Sequence, residues 1–324
     1  IFDPSVFIVP NMSNSSTMSV GTCSHISAFS ACNLVPVIQI RSMTKSMFIF
    51  GAGYTAGYLS KTLTEQGWTV YGTTRRQERF DEITQAGAHP LLIDDPTVPE
   101  RLSACSHVLI SAGPSENGDP TLNDYRSVFV ENRFEWVGYL STTGVYGGTE
   151  GEWVDEETPL HPTTTRGQQR KSAEEAWSEV PNLPLHIFRL AGIYGPGRGP
   201  FSKVKSGKAQ RIIKKDQVFS RIHVEDIVQV LCASIAAGTD SGVYNVCDNY
   251  PAPPQDVIGY AAELLGLPIP PAIAFEDANL SPMGRSFYAE NKRVANERIK
   301  SELGIALKYP DYKAGLDALI RLEE

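Results

Sequence analysis

No hydrophobic period runs through the first 42 residues, whereas from residue 46 onward apolar runs alternate with stretches of helical spacing. The run SMFIF (residues 46–50) leads into the glycine turn GAGYTAG, a helical stretch through YLSKTLTEQ, and the apolar run WTVYGTT. Short apolar runs bounded by glycine and separated by helical periods are the pattern of parallel strands covered on both faces. Further strands are expected at residues 90–93, 107–111, 137–141 and 185–190, with a helix over 172–180. The predicted fold class is α/β, a doubly wound parallel Rossmann sheet.

After Leu190 the rhythm changes. Pro and Gly cluster in GIYGPGRGPF, a basic stretch KVKSGKAQRIIKK follows, and VFSRIHVEDIVQVLCASI reads as a short strand entering a helix. The strand VYNV, a Pro-rich link, the helix DVIGYAAELLG and a last helical region over 295–322 complete the chain. The expected organisation is a disordered extension over residues 1–42, an NAD(P)-binding Rossmann domain over 43–195, and a smaller substrate-binding lobe over 196–324. Residues 217–247 of that lobe are expected to return to the Rossmann core. The extension is rich in Ser and Asn and holds one acid, Asp3, and Arg41; Met43 and Met47 stand just ahead of the first strand as alternative starts.

Composition narrows the partners. A net charge of −8 argues against nucleic acid, whose phosphates demand a face of Lys and Arg. No stretch approaches the roughly 18 apolar residues of a membrane span. The cysteines Cys23, Cys32, Cys105, Cys232 and Cys247 are odd in number and contain no CxxC pair, so neither a disulfide framework nor a metal site is expected. Cys105 and Cys232 lie in apolar runs and read as core fillers. A cytoplasmic protein with a small-molecule substrate fits these features.

Gly51, Gly53 and Ala56 form G-x-G-x-x-A between a strand and a helix. Gly51 permits the tight turn, Gly53 lets backbone approach a pyrophosphate, and Ala56 allows close helix–strand packing, with the helix amino end facing the phosphates. Tyr54 and Thr55 complete this cofactor-binding turn, and Ser111, Ala112 and Gly113 after the fourth strand are expected beside it. About twenty residues on, where an NAD-binding chain places a carboxylate, this one has Thr73, Thr74, Arg75 and Arg76. Two guanidiniums suit the 2′-phosphate of NADP, with NAD as the alternative. The competing reading is that Arg75 and Arg76 open a solvated helix with Arg79 and Glu82. Asp94 is read either as an acceptor for the adenine amino group or as a helix cap.

At YLSTTGVYGG, RLAGIYGPG, SRIHVEDIV and YNVCD the chain resembles the extended short-chain dehydrogenase/reductases, the group of NAD-dependent epimerases and dehydratases. The motifs occur in family order from about Met47 onward, and the G-x-G-x-x-A turn resembles that of the atypical subgroups. The resemblance implies that Thr142 hydrogen-bonds a substrate oxygen. It also implies a Tyr-x-x-x-Lys pair, but in HPTTTRGQQRKSAEE Arg166 takes the tyrosine position, followed by the expected Gly167, and Arg170 the lysine position.

A guanidinium with a pKa above about 12 cannot cycle protons, so Arg166 cannot replace a phenol; it can hold an anion. Arg166 and Arg170 share a helix face and could clamp a carboxylate or phosphate, or else be solvated residues paired with Glu174 or Glu175. If hydride chemistry survives, Tyr146 and then Tyr194 are the candidate proton donors, with aromatic packing as the alternative for both. His223 is expected to make a structural hydrogen bond, Arg221 to face a substrate anion, and Asn291, Lys292 and Arg293 to form a solvated face without chemistry. Two functions remain open: an atypical oxidoreductase, epimerase or dehydratase acting on a small hydroxylated or nucleotide-sugar substrate, or a non-catalytic NADP(H) sensor. Relatives imply a homodimer through sheet-flanking helices.

Overall fold

Strand β1 (Ser46–Phe50) has four fully buried side chains because cores lie on both sides of it. Met47 and Ile49 enter one core and Phe48 and Phe50 the other, the two-residue alternation of a strand turned into two hydrophobic layers. The architecture is that of a computed structural model, which describes residues 45–239 and 241–322. Around β1 stand β2 (Thr69–Thr74), β3 (His89–Leu92), β4 (His107–Ile110), β5 (Trp136–Thr142), β6 (Leu185–Leu190) and β7 (Gly242–Val246). They form one parallel sheet in the order β7-β6-β5-β4-β1-β2-β3. The order reverses between β1 and β4, which opens a crevice at the carboxyl ends of those strands.

Helices α1 (Tyr54–Glu65), α2 (Pro120–Glu131), α3 (Thr165–Ser178) and α4 (Val224–Ala237) cover the sheet. Through Ala56, Leu59, Leu63, Ile227, Val230 and Leu231, α1 and α4 pack on one face. On the other, Phe129 of α2 meets Trp177 of α3 edge-on at 4.8 Å. Truncating either ring to Ala would cost about 3–5 kcal/mol.

A second, smaller core of Tyr194, Phe201, Val204, Val257, Ala261 and Leu316 forms around α5 (Pro254–Leu264) and α6 (Tyr312–Ile320). Met43–Glu324 cluster as one compact unit. The expectation for residues 1–42 lies outside the described residues. Among the described residues no helix is long and apolar enough to cross a membrane.

Two boundaries differ from expectation. The helix placed over 172–180 begins at Thr165, because the Thr164 side chain caps it by accepting from the Gly167 amide. The last helical region is broken in two: residues 302–311 leave the helix at Gly304, and the Asp226 carboxylate holds the Lys308 and Tyr309 amides instead.

Candidate functional site

The glycine turn closes the carboxyl end of β1. Gly51 has φ +81°, and a Cβ there would lie 2.9 Å from the Ala112 amide nitrogen, so no other residue fits. Its own amide donates to the Thr73 hydroxyl at 3.0 Å, while the Ser111 and Ala112 amides donate to the Phe50 carbonyl. These bonds draw the ends of β1, β2 and β4 together. Gly53 differs: a Cβ on it would meet nothing of the protein closer than 3.9 Å. Internal packing does not ask for glycine there. The absence of a side chain instead leaves the amino end of α1 bare, with Thr55 and Ala56 buried behind it, which fits a dinucleotide pyrophosphate against first-turn amides.

At the end of β2 the sequence alternatives separate. Arg79 is bound to Glu82 through two nitrogens at 3.0 and 2.7 Å. Arg75 and Arg76 are exposed, and among the described residues neither makes an ion pair. The Thr74 hydroxyl accepts from the Arg76 amide at 3.2 Å and shapes the turn that carries them. The hydrogen-bonded ion pair of the helix opening therefore uses Arg79, and Arg76 reaches Glu82 only through its charge, which leaves both strand-end guanidiniums without an ion pair among the described residues. Asp94 is exposed and caps no helix among the described residues; it is Asp95 that accepts from the Thr97 amide, at 2.8 Å.

Thr142 ends β5 and caps a short turn (Thr143–Tyr146) by accepting from the Gly144 amide at 3.2 Å. That bond uses an oxygen lone pair and leaves the hydroxyl proton free to donate. The turn sits hard against α3: a Cβ on Gly167 would lie 2.6 Å from the Gly144 carbonyl oxygen. Close approach explains the glycine after Arg166 and packs the first turn of α3 against the turn that follows Thr142.

The ion pairs expected as an alternative for these two arginines go elsewhere, Glu174 to Arg189 and Glu175 to Lys171. Arg166 is exposed and unpaired among the described residues. Arg170 donates one nitrogen to the Leu140 carbonyl at 2.6 Å and the Tyr139 hydroxyl at 3.1 Å. Its other terminal nitrogen lies 3.3 Å from the point a Cβ on Gly113 would occupy, so it faces the loop after β4.

The tyrosines are placed otherwise than expected. Tyr146 is buried, donating to Asn245 at 2.8 Å and accepting from Arg189 at 2.9 Å, and burial pushes its phenol up to about 12. Its position corrects the expectation of a proton donor over the crevice: the phenol is a strut joining β6, β7 and the turn. Arg189 also grips Glu174, at 2.9 Å, and Glu174 accepts from Ser141. Tyr194, the second candidate proton donor in the substrate-pocket loop, is instead buried against Gly315 in the second core with its pKa raised by burial, in line with the aromatic-packing alternative.

Arg221 is already engaged, donating to the Phe219 and Ala252 carbonyls at 2.8 and 3.1 Å. Beside it Asp248 is buried and raised to about 8, since burial outweighs what hydrogen bonding and the Arg221 charge give back. His223 caps α4 by accepting from the Glu225 amide, in keeping with a structural hydrogen bond, and burial lowers it to about 4. Lys292 is no solvated residue: it donates to the Gly147 carbonyl and to Glu290, both at 2.7 Å, while the Asn291 carbonyl accepts from the Thr149 and Gly151 amides. This strap holds down the loop that follows Tyr146.

The sequence reading missed the Glu174–Arg189 pair and Asp248. A signal for the first was available: Arg170, Ala173, Glu174 and Trp177 fall on one helical face, so Glu174 points inward with the tryptophan.

No protein-family model matches the chain. The solved structure of a conserved protein of unknown function from Silicibacter pomeroyi DSS is 55% identical, covers 87% of this chain and 100% of its own, and superposes with a TM-score of 0.82. Protein YeeZ of Escherichia coli K12 is 27% identical over 283 residues, covering 82% of this chain and 97% of that protein. Two more distant structures share the fold. Human epimerase family protein SDR39U1, solved with NADPH, has 15% identity and a TM-score of 0.65 over 85% of this chain and 99% of its own. The dTDP-glucose 4,6-dehydratase of Bacillus anthracis, solved with NAD, has 17% identity and a TM-score of 0.68 over 86% and 96%.

Proposed function

We propose that this chain, which shares the fold of the NAD-dependent epimerases and dehydratases, is an atypical short-chain dehydrogenase/reductase: an NADP(H)-dependent oxidoreductase acting on a small hydroxylated substrate that carries or develops negative charge. The observation that carries this reading is the arrangement along one sheet edge. A bare glycine turn and two guanidiniums without an ion pair among the described residues stand at one end; at the other, the Thr142 hydroxyl keeps its proton to donate, and the turn after it packs against α3, the helix that carries the exposed Arg166 and, one turn on, Arg170.

A bound nicotinamide supplies or takes up hydride. The residues of the chain do the rest. Thr142 donates its O–H to the substrate oxygen, and Arg166 stabilises negative charge on the substrate without giving up a proton. Arg170, fixed by Leu140 and facing the loop at Gly113, would hold cofactor ribose hydroxyls. With the Tyr146 and Tyr194 phenols tied off inside the protein, the substrate oxygen exchanges its proton with water.

NADPH oxidation with a panel of small carbonyl compounds tests this. A responsive substrate should lose about 100-fold in kcat when Thr142→Ala and Arg166→Ala are combined, with NADPH affinity unchanged. Unaltered kcat in the double variant would remove these residues from the chemistry. A second reading, a dinucleotide-dependent sensor, draws on the same buried phenols. Tight NADPH binding with no turnover of any panel member would favour it.

A further inference from the structure

The loop that leaves β6 returns to the start of α1. Residues 195–198 form a tight turn in which the Gly195 and Arg198 amides each donate to the other's carbonyl, at 2.8 and 2.9 Å. Pro196 and Gly197, the latter with φ +70°, are the residues such a turn requires at its two central positions. The Tyr54 hydroxyl donates to the Pro196 carbonyl at 3.0 Å, and a Cβ on Gly195 would come within 2.6 Å of that hydroxyl. The turn is therefore seated on the tyrosine that directly follows Gly53.

Arg198, at the end of this turn, stacks on the Tyr54 ring with its guanidinium carbon 5.5 Å from the centroid. The side chain is exposed, and among the described residues it makes no ion pair. On the inner side of the turn the Nε2 of His223, in a side chain 1% exposed, has no hydrogen-bond partner among the described residues and lies 3.5 Å from the point a Gly195 Cβ would occupy. The protein thus tethers a turn, with a cation at its end, to the first residue of the pyrophosphate-binding helix and leaves polar capacity on it unused. Aromatic stacking satisfies the face of a guanidinium while its edge N–H groups remain free for oxygen acceptors.

We propose that Arg198, positioned by Tyr54, is a pyrophosphate-binding residue, and that the 195–198 turn acts as a clasp that holds the dinucleotide against α1 from the opposite side. This rests on the dinucleotide-binding reading above. The phosphates lie against first-turn amides that belong to Tyr54 and its neighbours, so an anion held there is within reach of a side chain stacked on the Tyr54 ring. A clasp on the pyrophosphate is blind to the 2′-phosphate and so differs from Arg75 and Arg76 in what it discriminates.

Titration of the purified full chain with NADPH, NADH and ADP-ribose separates the possibilities. Arg198→Ala should weaken all three by a similar factor, about five- to tenfold, leave the NADPH-to-NADH ratio unchanged and reduce the salt dependence of binding. Tyr54→Phe keeps the ring but loses the tether to Pro196, and should raise the NADPH dissociation rate with a smaller loss of affinity. Equal binding of all three probes by wild type and Arg198→Ala overturns the clasp alone. Absence of saturable binding in the wild type overturns the dinucleotide reading and the clasp with it.

Discussion

At the β1–β2 end of the crevice, Arg75 and Arg76 stand in solvent with no ion pair among the described residues. At the β5–β7 end, Tyr146, Arg189, Glu174 and Asn245 are buried and bound to one another. One region leaves charge available for a ligand; the other consumes its polar groups in holding strands and α3 together. The contrast bears on function because a phenol in a buried network is a poor proton donor, whereas an unpaired guanidinium at a strand end is ready for a phosphate. The two guanidiniums proposed to bind the cofactor are exposed. The Tyr146 phenol, the first candidate for moving protons, is locked into the interior.

The largest effect expected from testing this contrast lies at the buried end. Glu174→Ala leaves the Arg189 charge uncompensated and should lower unfolding stability by about 3–5 kcal/mol in urea denaturation. A loss under 1 kcal/mol would mean that the pair does not hold α3 to the sheet.

Next comes Tyr146→Phe, which orphans the Arg189 N–H and the Asn245 oxygen. It should cost about 1–3 kcal/mol of stability and leave the kcat of any substrate found nearly unchanged. A collapse of kcat with intact stability would return Tyr146 to the role of proton donor.

The smallest effect in energy sharpens the exposed end. Arg75→Ala combined with Arg76→Ala should weaken NADPH binding more than tenfold, roughly 1.4 kcal/mol, while NADH is little affected. Equal losses for the two nucleotides would defeat the 2′-phosphate assignment.

Local signals were enough for the sheet and the turn. Strand periodicity placed β1 and the other central strands because a strand buried on both faces must be apolar throughout, and that requirement is written in consecutive residues. Gly51 was legible for the same reason, since its positive φ belongs to a turn of adjacent residues. The start of α3 was less so: the Thr164 cap acts without changing the hydrophobic period.

The chain alone also carried the resemblance by which Arg166 and Arg170 match the tyrosine and lysine positions of the extended short-chain dehydrogenase/reductases. What only the tertiary structure decided is where every other polar side chain goes. Tyr146 meets a strand 99 positions later in the chain, Tyr54 meets a turn 142 positions away, and Lys292 reaches back 145 positions to Gly147. A hydrogen bond between distant segments depends on how helices and strands pack, and the order of residues near either partner carries no record of it.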